Sequence, residues 1–360
     1  MIQVSRPYLP SQKKFQKYCE GIWQNHHLTN FGPLSLKLEE RLCEYLGLDH
    51  ILLLANGTLA LQIAYKIAGL KAGDAVITTP FSFIATTNTL LWEGLEPIFC
   101  DIDSKSFCMD KAGLEACIKD AQAPKALLPV HVFGSPCEVE SLESTAKQKG
   151  LKLIYDAAHA FGVNYKGKSV LGFGDIATLS FHATKIFHTT EGGALILREK
   201  EAMDEARSLI NFGLKENMPS RLGINAKLSE FHAAMGLCVL DDMPFILEER
   251  ARLWRRYAEG LGGLFDMQAW QEDSTNNHHY FPLLFKNEKA LLDSVKKLNQ
   301  NGIFPRRYFY PSLAALPFSQ QKANCPVALD IANRILCLPL FVGLDEKCQE
   351  KIINLLSRDV

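Results

Sequence analysis

The chain has 360 residues, and its 39 Lys and Arg nearly balance 40 Asp and Glu, so neither a nucleic acid nor a membrane surface is expected as its main partner. Apolar residues at 47% and charged residues at 22% suit a globular protein of one to three domains whose partner is small. No apolar run reaches the length of a membrane span, residues 1–15 do not read as a signal peptide, and ten cysteines without a CxxC pair suit reduced packing residues in the cytoplasm rather than disulfides or zinc.

From about residue 50 to 200, apolar runs of strand length alternate with segments of helical period, the pattern of an α/β domain with a largely parallel sheet. Residues 51–55 predict a strand, followed by the turn Asn56-Gly57-Thr58 and a helix over 59–69 that Thr58 would cap. Further strands are expected at 75–79, 97–101, 126–132, 151–155, 177–181 and 194–197, with helices at 84–93, 111–119 and 139–149. Helical stretches at 228–236 and 246–260 lead out of this domain. Beyond them come an expected strand at 280–285, a helix at 288–299, an irregular or strand segment at 303–310 and a helix at 327–336. The expected organisation is a large domain over 1–245, with an N-terminal arm, and a small α+β domain over 246–360.

Two charged residues fall at strand ends. Asp156 closes the apolar run 151–155, and Lys185 follows the run 177–181. An isolated Asp after a strand is usually a cap, and an isolated Lys is usually solvated. A carboxylate buried there would need a cationic partner. Asn56-Gly57-Thr58 lies at another strand end, where free N–H groups and the helix dipole favour a phosphate, and ligands of open α/β sheets gather at that edge. Together the three features are what a pyridoxal phosphate site needs: the Lys forms a Schiff base, and the Asp keeps the pyridinium nitrogen protonated so that the ring acts as an electron sink.

Other features are less decisive. Glu191-Gly192-Gly193 suggests a backbone that makes room for a cofactor or substrate. Phe81 or Phe83 either packs in the core or stacks on a planar ring, and spacing leaves this open. His159, His182 and His188 with Cys137 lack zinc spacing. Gly172-Phe173-Gly174-Asp175-Ile176-Ala177 imitates a dinucleotide fingerprint but leads into a strand rather than a helix, and is set aside.

These residues lie in motifs that resemble the DegT-like sugar-nucleotide aminotransferases, fold-type I pyridoxal phosphate enzymes. The likeness runs nearly the whole chain. It includes Leu28-Thr29-Asn30-Phe31-Gly32-Pro33, Ala55-Asn56-Gly57-Thr58, Thr79-Pro80-Phe81-Ser82-Phe83, Asp156-Ala157-Ala158-His159, Ser180-Phe181-His182-Ala183-Thr184-Lys185, Gly223-Ile224-Asn225-Ala226-Lys227 and Arg306-Arg307-Tyr308-Phe309-Tyr310-Pro311. The resemblance implies a large domain with a mixed, mostly parallel sheet plus a smaller α+β domain. It implies that Lys185 is the Schiff-base lysine, Asp156 the pyridinium partner, Phe83 the ring-stacking aromatic and His159 a neighbour of the cofactor near its hydroxyl side. Gly57, Thr58 and Ser180 match the phosphate cup. Asn225 matches a residue that reaches the phosphate of the neighbouring subunit's cofactor, which implies a homodimer. Some relatives carry His in place of the lysine and do not transaminate; Lys185 argues against that branch.

The implied reaction takes an amino group from L-glutamate and delivers it to a keto-sugar nucleotide, with Lys185 as both covalent anchor and general acid/base. The motif around Lys185 looks like the branch that aminates C4 of 4-keto-6-deoxyhexoses, whereas the C3 branch has Tyr-Pro-Gly-Lys before an Asn. Arg306 to Pro311 resembles relatives acting on dTDP-linked sugars, so dTDP-4-keto-6-deoxyglucose is the expected substrate, leading to a dTDP-4-amino-4,6-dideoxyhexose for surface polysaccharide or glycoside biosynthesis. Thr29, Asn30, Tyr308 and Tyr310 are the expected sugar-nucleotide contacts. The competing readings are a C3 or a UDP- or GDP-sugar aminotransferase on the same scaffold and, from another class, a pyridoxal phosphate-binding regulatory protein without turnover.

Overall fold

The computed structural model describes residues 1–120, 123–318 and 324–357. Its centre is a seven-stranded sheet in the order Ile51–Leu54, Gly193–Leu197, Ile176–Ser180, Lys152–Asp156, Ala126–Leu128, Ala75–Thr78, Glu96–Phe99. Gly193–Leu197 pairs antiparallel with both its neighbours, and every other pairing in the sheet is parallel. The carboxyl ends of the Ile51, Lys152 and Ile176 strands therefore share one edge with the start of the Gly193 strand.

The inner strands are buried on both faces, which is why they read as continuous apolar runs. Their side chains still alternate. Leu53, Ile77, Leu127, Leu153, Tyr155, Ala177 and Leu179 join one core cluster, while Leu52, Leu54, Val76, Leu128, Ile154, Ile176 and Leu195 join another on the opposite face. Helices cover both faces, so this is the expected α/β architecture.

A third core cluster is built from Leu253, Tyr257, Phe281, Leu283, Leu291, Leu336 and Ile352. Around it lie the helices Met243–Leu261, Glu288–Gln300 and Glu346–Leu356 and the antiparallel pair Pro282–Leu284 with Ile335–Cys337. The chain's first residues join this unit, since Ile2–Gln3 pairs in parallel with Ile303–Phe304.

Several boundaries move. The helix after the first sheet strand spans Gly57–Ile67, and its cap is Asn56, whose side chain accepts from the Leu59 N–H; Thr58 is already inside the first turn. The helix expected over 327–336 stops at Arg334, because Ile335–Cys337 is recruited as a strand by Pro282–Leu284. Four helices were not anticipated: Gln12–Asn25, Pro33–Leu46, Lys200–Leu209 and Glu346–Leu356. The Pro33–Leu46 helix is capped from a distance. The Glu230 carboxylate, fully buried, accepts from Leu34 N–H (2.7 Å) and Ser35 N–H (2.8 Å), and a local reading has no access to such a partner. None of the ten cysteines is in a disulfide and most are buried, as packing residues would be. Among the described residues, no helix is long and apolar enough to cross a membrane.

Candidate active site

The shared strand edge opens into a cleft of about 290 Å³. Gly57, Thr58, Phe83, Asp156, His159, Ser180, Lys185 and Tyr308 all line it, so residues far apart in sequence meet as the motifs led one to expect. Sheet register is the reason: Gly193 lies opposite both Leu54 and Ser180, and Asp156 lies opposite Thr178.

Asp156 is 6% exposed at the floor of the cleft. Thr86 Oγ1 donates to its Oδ2 at 2.7 Å and the Ala158 N–H to its Oδ1 at 3.1 Å. Burial pushes the carboxyl above its usual range, and the Thr86 and Ala158 hydrogen bonds and the Lys185 charge pull the other way. Lys185 responds to the same environment with opposite sign. Burial lowers its amine to about 8, against the pull of Asp156, so at neutral pH about a tenth of it is unprotonated, far more than for an ordinary lysine.

His159 is held neutral by burial, with the charge of Lys185 acting in the same direction. The Phe133 N–H donates to its Nδ1 at 3.3 Å, which places the ring proton on Nε2. The ring lies nearly parallel to Phe309, with centroids 5.7 Å apart and planes 3° apart, so its orientation is fixed by packing. The ambiguity between Phe81 and Phe83 is resolved by burial. Phe81 is fully buried against Phe107, Phe133 and Phe309, whereas Phe83 is 49% exposed and faces the cleft.

The candidate phosphate cradle forms where the Gly57 helix begins. Its first-turn amides at Gly57 and Thr58 have no partner four residues back, and the Thr58 and Ser180 side chains stand beside them in the cleft. Backbone contact is unusually close. A Cβ on Gly57 would lie 3.0 Å from Ser180 Cβ, and one on Gly193 would lie 2.5 Å from the carbonyl carbon and oxygen of Asn56. A Cβ on Gly192 would run into Thr189 Oγ1. The glycine pair was expected to make room for a ligand; it makes room for the chain itself, and so seats the turn that faces the ligand.

The donor set fits pyridoxal phosphate: free amides and hydroxyls for a phosphate, a buried carboxylate for a ring nitrogen, and a desolvated amine for a carbonyl carbon. Not every expected residue lies there. Thr29 and Asn30 are exposed and lie outside the cleft lining, and Tyr310 stands outside it with the Arg307 guanidinium 3.4 Å from its ring centroid. Asn225 is exposed and outside the cleft of its own chain, bridged to Asn211 and adjacent to Ala226, whose carbonyl accepts from the Ala55 N–H at 2.8 Å. Ser82, Thr86, Tyr280 and Arg306 were not anticipated. Ser82, Tyr280 and Arg306 line the cleft, while Thr86 holds Asp156 from behind. Arg306 was visible only as part of a motif, and the hydroxyls on the helix Ala85–Trp92 carry no local signature.

The fold is that of the pyridoxal phosphate-dependent aminotransferases, with Asp156 and Lys185 lining one cleft at the sheet edge. The chain belongs to the DegT/DnrJ/EryC1/StrS aminotransferase family, whose model matches residues 10–357. It is 40% identical over 364 residues to the dTDP-4-amino-4,6-dideoxy-D-glucose transaminase of Shigella dysenteriae, covering 98% of this chain and 97% of that one. It is 38% identical over 367 residues to the Escherichia coli enzyme of the same name, covering 99% and 98%. Among solved structures it resembles DesI, crystallised in the presence of its TDP-sugar product, with a TM-score of 0.92 and 31% identity over 99% of this chain and 92% of that one.

Proposed function

We propose that the protein transfers an amino group from L-glutamate to C4 of dTDP-4-keto-6-deoxyglucose, giving a dTDP-4-amino-4,6-dideoxyhexose. The observation that carries this reading is the meeting of Asp156 and Lys185 in one cleft, on a chain that matches two transaminases named for the C4 product along nearly its full length. Relatives named for GDP- and UDP-linked sugars are less similar, for example a GDP-perosamine synthase of Escherichia coli O157:H7 at 28% identity.

When bound, pyridoxal phosphate supplies an electron sink for the carbon that loses its proton during amino transfer. The phosphate would be held by the Gly57 and Thr58 amides with the Thr58 and Ser180 hydroxyls, and Phe83 would cover one ring face. Asp156 would accept the ring N–H, and the Nε2–H of His159 would be a donor for the ring hydroxyl. Lys185 Nζ would anchor the cofactor covalently and, once freed by the amino donor, take and return the proton at the reacting carbon. An amine with a pKa near 8 is suited to both directions of that transfer. Tyr308 would border the sugar from the far side of the cleft.

The active unit in this reading is a homodimer in which Asn225 completes the partner's phosphate cradle. Its exposure supports this, as does the apolar surface around it: Leu222 is 93% exposed and Met218 69%. Thr29 and Asn30, exposed in the loop before the Pro33 helix, would meet the nucleotide sugar only if that surface is completed by a second copy. Ten cysteines, none of them in a disulfide, support a cytoplasmic setting.

The test is a panel of dTDP-, UDP- and GDP-linked 3-keto and 4-keto sugars with glutamate, the position of the new nitrogen being read by NMR. Turnover restricted to the dTDP-linked 4-keto sugar is expected. Amination at C3, or preference for another nucleotide, would replace the substrate assignment.

A further inference from the structure

The Asp156 carboxylate ends a chain of two hydroxyls. Thr86, fully buried on the first turn of helix Ala85–Trp92, donates to Asp156 Oδ2, and Ser82 Oγ lies 2.7 Å from the same Thr86 Oγ1. A carboxylate only accepts, so the single Thr86 proton is committed to Asp156 and Ser82 is the donor in the second bond. The chain has one direction, from Ser82 through Thr86 to Asp156. Bonds to an ionised acceptor are about twice as strong as neutral ones, and a donor behind Thr86 polarises it further.

Burial drives Asp156 toward the neutral acid, which would be a poor acceptor for a ring N–H. One charged side chain acts on it. Lys185 favours the ionised carboxylate, and Tyr65, fully buried with its hydroxyl on Thr89, is neutral. We propose that Thr86 is a positioning residue for the cofactor: its hydroxyl, oriented by Ser82, holds Asp156 ionised and fixes the plane of its carboxylate toward the ring nitrogen. This rests on the reading of Asp156 as the ring-nitrogen partner.

The test is reconstitution of apoprotein with pyridoxal phosphate, the dissociation constant being read by titration in Thr86→Val, Thr86→Ser, Ser82→Ala, Asp156→Asn and the double variant T86V/D156N. T86V is expected to bind about tenfold more weakly, with the deficit growing as pH falls, while T86S stays close to wild type and S82A loses less than T86V. In the D156N background the T86V deficit should vanish, which a packing role would not produce. Thr86→Ala carries the same comparison if T86V does not fold. Wild-type binding by T86V, equal damage in T86S, or a T86V deficit undiminished beside D156N would overturn the proposal. Wild-type binding by D156N itself would instead remove the role assigned to Asp156.

Discussion

Gly193 sits against the backbone of Asn56 so closely that a Cβ at residue 193 would come within 2.5 Å of the Asn56 carbonyl and 2.7 Å of the Gly57 nitrogen. The contact joins the one antiparallel strand of the sheet to the turn that presents free amides to the cleft. Gly193→Ala must therefore push the turn away or strain the strand. Overpacking of this kind costs about 1–3 kcal/mol, and the expected result is a lower unfolding midpoint together with weaker cofactor retention. An alanine variant with unchanged melting and unchanged cofactor titration would show that the turn can yield freely.

Lys185→Ala removes the amine and leaves the cradle and Asp156 in place. It is expected to retain cofactor without a covalent bond and to lose at least about 10²–10⁴-fold in transamination. Borohydride treatment distinguishes the two states: the wild-type visible absorbance should be altered and the cofactor fixed to the chain, while in the variant the cofactor should wash out. A fully active variant would end the assignment.

The lowered Lys185 pKa predicts a pH profile. The neutral amine is the nucleophile, so the rate at which apoprotein captures pyridoxal phosphate should rise with pH and level off above about 8. Asp156 opposes the lowering, so Asp156→Asn should shift the midpoint below that of wild type, besides weakening retention. A midpoint near the ordinary value for lysine, or a shift upward in D156N, would contradict the electrostatic picture.

The proposed sharing of the site across a dimer predicts complementation. Asn225→Ala and Lys185→Ala each damage a different part of the cradle and chemistry. In a mixed dimer, one site regains both native residues because Lys185 comes from one chain and Asn225 from the other. Mixing the two inactive variants under subunit exchange should therefore restore activity. Failure to restore it, with mixed dimers demonstrated by tagged purification, would place Asn225 outside the partner's site.

The alternating sheet, the Asp156 and Lys185 strand ends and the Gly57-Thr58 turn were legible in the sequence because each depends on neighbours within a few residues. Strands buried on both faces must be apolar throughout, and residues at their ends stand at one edge of a parallel sheet whatever the strand order. Motif spacing added the roles. The cap at Asn56 was misassigned by two positions, since Asn and Thr compete for the same local signal. The helix at Gln12–Asn25 went unread because its segment is mostly polar, and that at Pro33–Leu46 because its cap is Glu230, far along the chain, although Leu34, Leu38, Leu42 and Leu46 recur at helical spacing.

What the sequence determined by itself was thus the inventory: which strands, which turn, which charged pair. Only the tertiary structure decided who faces whom. It set Thr86 behind Asp156 and turned Gly193 toward Asn56 rather than toward a ligand. It also left Thr29, Asn30 and Asn225 on an open surface instead of in their own cleft. The physical reason is that burial, hydrogen-bond pairing and pKa depend on atoms a few ångströms away in space, contributed by segments whose separation along the chain leaves no periodic trace.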